Sequence, residues 1–178
     1  MRTVPIFLAG VAVLIGVSGW SAATEEPQQK ASAPMSSKTM FYRLLARKPA
    51  ATIEDAIRAI ARDKGGSQEL MPLADEMASL DKVGVHFPKA IVKRKDETLT
   101  MGSAAHMLMK AMGIKGKSFM YNFFPDKQRY ALKEAVDMGI IPPNSFLGQT
   151  LSGNDLLGLL VRIKEINEQQ KAAAADKK

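Results

Sequence analysis

Leu151-Ser152-Gly153-Asn154-Asp155-Leu156-Leu157-Gly158-Leu159-Leu160-Val161-Arg162-Ile163 is the stretch whose reading decides the fold. Ser152 can accept a hydrogen bond from a backbone N–H of the turn it opens. Asp155, three residues on, can accept one in return, the reciprocal arrangement of a capping box. Leu156, Leu159, Leu160, Ile163 and Ile166 then recur at helical spacing and form one apolar stripe. The same grammar occurs twice earlier. Thr52 precedes Asp55 and a stripe of Ile53, Ala56, Ile57 and Ile60, and Thr100 precedes Met101, Ala105, Leu108 and Met112. The three starts lie about 50 residues apart, a period at which one helical unit is used again and each copy covers its neighbour's apolar face.

Further helices are expected between these starts. Residues 40–47 form a short one ended by Pro49. Leu70, Leu73, Met77 and Leu80 line another, and Ala131, Leu132, Ala135 and Val136 a third, capped by Asp126 after Pro125. Gly65-Gly66, Gly84, Gly113 and Gly139 mark helix ends. No β-branched run alternates for long, so Ile91-Val92 and Ile140-Ile141 are short extended links at most. The expected fold class is all-α: helix–loop–helix repeats packed into one domain, with little or no strand.

Residues 1–23 read as a signal peptide: Arg2, an apolar run over residues 6–17, then Ser21-Ala22-Ala23. The apolar run is shorter than the ~20 residues of a membrane span. The expected location is therefore the periplasm, cell envelope or extracellular space. Residues 24–37 are polar with two prolines and read as a flexible linker. Residues 38–168 are the domain and 169–178 a disordered tail. The chain has no Cys, so packing alone must hold an exported fold together. Its charge of +7 suits an anionic partner, and export argues against that partner being nucleic acid.

Phe124-Pro125-Asp126, Tyr130-Ala131, Glu134-Ala135, Gly139-Ile140-Ile141, Leu151-Ser152, Asp155 and the apolar run from Leu156 to Val161 together resemble an S-layer homology repeat. Leu73-Ala74-Asp75-Glu76, Gly84-Val85 and Leu99-Thr100 resemble a more worn copy, and residues 52–62 the second half of another. The resemblance implies an all-helical repeat fold and a cell-envelope setting. In that family an Arg after the capping Thr helps bind an anionic wall polysaccharide. The matching positions here are Ile53, Met101 and Gly153, and none can hold a carboxylate. The family's Glu is matched by Asp55, Ser103 and Asp155. An Arg restored at position 153 is expected to leave binding intact or strengthen it.

Candidate binding residues come from two basic groups. Lys89, Lys93, Arg94 and Lys95 precede the Thr100 helix; Lys110, Lys115, Lys117, Lys127, Arg129 and Lys133 follow it. On one face they would attract a phosphate- or carboxylate-rich polymer, with salt-sensitive contacts. Among the aromatics between them, Tyr121 and Phe123 are expected at the surface, and Phe119, Phe124 and Tyr130 in the core. His106 with Met109 and Met112 offers imidazole and thioether, but methionine also serves as core filler. His86 and His106 lack the spacing of paired metal ligands. The reading is a non-catalytic interaction module with no metal or cofactor. Its partner would be an anionic envelope polymer, or an envelope protein met through an apolar helix surface, with membrane-surface contact as a further option.

Overall fold

The computed structural model describes residues 37–64 and 71–175. The residues read as a signal peptide, nearly all of those read as a linker, Gly65-Gly66, Leu70 and the last three residues lie outside the described residues. Seven α-helices and one 3-10 helix are described, and the fold is all-α: α1 Ser37–Ala46, α2 Ile53–Lys64, α3 Leu73–Lys82, the 3-10 helix Lys89–Arg94, α4 Met101–Met112, α5 Phe119–Phe123, α6 Gln128–Asp137 and α7 Gly153–Ala175.

The caps expected at Thr52, Thr100 and Ser152 are in place. Thr52 Oγ1 accepts from Asp55 N at 3.2 Å, while Asp55 Oδ2 accepts from Thr52 N at 3.0 Å. Ser152 and Asp155 repeat the exchange at 3.1 and 3.0 Å. Thr100 accepts from Ser103 N at 3.4 Å. These bonds satisfy N–H groups that the first turn of a helix otherwise leaves unpaired. Ser152→Ala removes one acceptor and is expected to lower unfolding stability by about 1 kcal/mol; an unchanged urea midpoint would show that α7 is held at its start by other contacts.

The three starts meet. The residue before each cap is extended and fully buried, and the three pair in a closed ring. Ala51 N donates to Leu151 O at 2.8 Å, Leu151 N to Leu99 O at 3.1 Å, and Leu99 N to Ala51 O at 2.8 Å. A second set runs round the same junction. Ile53 N donates to Glu97 O, Met101 N to Gln149 O and Gly153 N to Lys48 O, at 3.1, 2.7 and 2.9 Å. The first N–H of α2, α4 and α7 thus finds its partner in a neighbouring arm, which is how buried backbone without a sheet stays satisfied. Around this hub α2 packs on α3, α4 on α6 and α7, and α7 returns to α1. Leu156, Leu159, Leu160 and Ile163 of α7 are buried with Leu45, Ile57, Ile60 and Leu108 in one core.

The junction explains Gly153. A Cβ there would lie 1.7 Å from the carbonyl oxygen of Leu45 in α1, so only glycine admits the approach. An Arg at this position would meet the same clash, so the expectation that Gly153→Arg leaves binding intact does not fit the packing. Ile53 and Met101, at the matching positions, are buried as well. Other corrections are local. α1 opens at Ser37, the last residue given to the linker. Ile91-Val92 lie in the 3-10 helix, not in an extended link. Lys127, not Asp126, occupies the cap position of α6 and makes no side-chain cap bond. α7 runs on to Ala175, so residues 169–175 are helical rather than a disordered tail.

Candidate functional site

One residue of each basic group reaches a cleft of about 210 Å³ between the 3-10 helix, α4 and the start of α6. Arg94 lines it from the first group and Lys110 from the second, and Ile53, Phe87, Ile91 and Met107 give it an apolar wall. α4 positions the polar side. Its period places Ser103, His106, Met107 and Lys110 along one face. Lys110 Nζ reaches Asp126 Oδ1 at 3.3 Å. Gln128 at the start of α6 donates to Ser103 Oγ at 3.1 Å, which ties the far wall to α4. Arg94 is held by Glu97 through Nε at 3.0 Å and Nη2 at 2.7 Å; the pairing raises the pKa of the guanidinium and lowers that of Glu97.

His106 sits inside the cleft. Burial pushes its imidazole below the usual value, the Lys110 ammonium adds to this, and Asp126 opposes it. Its Nε2 is buried without a hydrogen-bond partner among the described residues, 3.9 Å from Asp126 Oδ1. A neutral imidazole there can donate to or accept from a ligand. The folded-state pKa is the lower one, so the stabilising contribution is complete above 6.5 and is lost as pH falls toward the folded value. An NMR titration of the His106 ring should give a midpoint below 6.5; a midpoint at or above it would mean that water reaches the ring freely.

The remaining candidates lie outside this lining. Lys89, Lys93, Lys115, Lys117, Lys127 and Arg129 are exposed. Lys95 is half-buried, with its Nζ 4.0 Å from Glu54. Lys133 is paired to Asp137 at 2.7 Å. Three of the five aromatics, Tyr121, Phe119 and Phe124, depart from expectation. Tyr121 is only 7% exposed and belongs to the core, whereas Phe119 is 71% exposed and Phe124 42%. Phe123 is exposed as expected, and Tyr130 is half-buried against the core. The cause is the way α5 is pinned. Ser118 caps it, and the buried Glu134 carboxylate accepts the N–H groups of Lys117 and Ser118, the latter at 3.1 Å. This orientation turns Tyr121 inward against Gly116. Burial, with the Glu134 charge adding, raises the pKa of the Tyr121 phenol. Met109 and Met112 pack in the core, away from His106 in its cleft.

A wider cleft of about 650 Å³ escapes the sequence reading. The segment 142–149 and α7 enclose it with Asn144, Phe146, Gln149, Asn154 and Arg162 over a floor of Met101 and Leu159. Amides, a guanidinium and an exposed ring form a lining suited to hydroxyl-rich ligands. The signal was present as Asn144, Gln149 and Asn154, but nothing local shows that they converge. Comparison of the chain with protein-family profiles, with characterised proteins and with solved structures returns no match.

Proposed function

We propose that this protein is an exported, non-catalytic interaction module of the bacterial cell envelope, S-layer-homology-like in architecture, that binds an anionic envelope polymer. One observation carries the reading: Arg94 and Lys110, 16 residues apart in sequence and one from each basic group, flank one apolar-walled cleft that also holds His106. Such a cleft can take the apolar face of a sugar ring against Ile91 and Met107 and its acidic substituent against the two cations. The family's Arg positions are buried at Ile53, Met101 and Gly153, so the charge that meets a polymer must come from elsewhere, and Lys110 and Arg94 supply it. The wider cleft, which reaches α4 at Met101, offers room for a second sugar unit.

Co-sedimentation of the purified protein with teichoic-acid-bearing cell walls tests this. Binding should fall steadily with added salt. Arg94→Glu combined with Lys110→Glu should weaken it by about tenfold or more at low salt. Binding unchanged by that pair would remove the cleft from the account. A second reading, assembly with an envelope protein, has its own observation. Met40 and Leu44 lie one turn apart on α1 and are both more than half exposed. Association through that face would persist as salt rises and would be lost in Met40→Ser with Leu44→Ser.

A further inference from the structure

We propose that the ridge formed by Phe119, Met120 and Phe123 is a membrane-contact site that seats this protein on an anionic lipid surface. Large apolar side chains are seldom grouped on a surface without a role. Here they occupy three of the five residues of α5, with Phe119 71%, Met120 42% and Phe123 65% exposed. The Phe119 and Phe123 rings stack on each other at 5.3 Å, and Phe123 meets Phe124 edge-on at 5.2 Å. The apolar surface is therefore one block rather than scattered side chains. Its base is fixed by the Ser118 cap, by Glu134 under the first backbone N–H groups and by buried Tyr121. The ridge is built into the fold and does not have to be ordered on contact.

Charge selects the occupant. Lys115, Lys117, Lys127 and Arg129 flank the ridge in sequence and are exposed. The acids nearby are already engaged: Asp126 with Lys110, Asp137 with Lys133, and Glu134 buried on backbone N–H groups. A second copy would bring the same positive charge against itself. A neutral sugar needs polar groups beside the ring, and the ridge's amide, Asn122, gives its N–H to Gly116 O at 3.0 Å. Phe and Met with flanking lysines match the acyl boundary and the anionic headgroups of a bilayer. Among the described residues no helix is long and apolar enough to cross a membrane. The site needs the envelope setting of the proposed function but not its polymer.

Flotation of the purified protein with vesicles tests the site, comparing equal parts phosphatidylglycerol and phosphatidylcholine with phosphatidylcholine alone. The protein should float with the anionic vesicles. Phe119→Ser with Phe123→Ser, both at exposed positions, should reduce partitioning by about tenfold or more. Lys115→Glu with Lys117→Glu should do the same on anionic vesicles. Both variants should keep cell-wall binding, whereas Arg94→Glu with Lys110→Glu should lose cell-wall binding and keep flotation. No flotation of the unaltered protein at low salt, or flotation indifferent to the phenylalanines, would overturn the proposal. Concentration-dependent self-association that the phenylalanine variant abolishes would overturn it too, in favour of a second copy.

Discussion

Gly153→Ala should destabilise the protein by about 3 kcal/mol or more, at or beyond the top of the usual range for overpacking. The added Cβ would sit 1.7 Å from Leu45 O and 2.7 Å from its carbonyl carbon, and backbone cannot rotate away as a side-chain tip can. Relief requires α7 to lift from α1, which breaks the Gly153 N to Lys48 O bond at 2.9 Å and loosens the ring through Leu151 and Ala51. Gly158 is the control. It lies inside the same helix with nothing within 4 Å of an added Cβ. Gly158→Ala should therefore gain about 1 kcal/mol from helix propensity alone. Urea unfolding of the two variants separates close approach from propensity. Equal and small effects at both positions would show that α1 does not press on the start of α7.

Arg62→Ala should cost about 3–5 kcal/mol, because it strips one partner from a buried ion pair. Arg62 and Glu76 are both fully buried, with Arg62 Nη1 3.2 Å from Glu76 Oε1. The guanidinium also lies 4.1 Å over the Phe41 ring, so one side chain joins α1, α2 and α3. Arg58 Nη1, at 3.4 Å, would be left as the only nearby cation on the Glu76 carboxylate among the described residues. The pair is incompletely satisfied: Arg62 Nε and Nη2 have no hydrogen-bond partner among the described residues. Replacing both partners, Arg62→Met with Glu76→Leu, should therefore be near neutral or stabilising.

Burial raises the Glu76 pKa against the pull of Arg58 and Arg62. The folded state thus keeps a proton that the unfolded chain releases, and this contribution is complete below the ordinary carboxylate value and lost as pH rises through the folded value. Removing Arg62 takes away one of the opposing cations and should move that loss to higher pH. A small effect of Arg62→Ala and no change in the pH profile would place the pair in water.

The helices were legible where the determining contacts are local. Thr52 with Asp55 and Ser152 with Asp155 cap their helices within three residues of sequence, and the α7 stripe needs only its own period to declare a buried face. What depended on distant partners was not legible. Asp126 has the chemistry of a cap, yet it turns to Lys110 on another helix. Tyr121 and Phe119 exchange their expected places because Glu134 and Gly116, outside α5, decide which way five residues face. Gly153 reads as a lost Arg until Leu45 is seen against it. The basic residues of the candidate site were visible, but only the packing of the 3-10 helix on α4 brings Arg94 and Lys110 to one cleft. The wider cleft depends on residues 142–149, a segment with no periodicity to read.

The most direct test of the central claim, that the Arg94–Lys110 cleft holds an anionic envelope polymer, is an NMR titration of the isotope-labelled protein with soluble teichoic acid. The account predicts shifts centred on Arg94, Ser103, His106, Lys110 and Gln128 that vanish at high salt. Shifts confined to the exposed face of α1, or none at low salt, would contradict it.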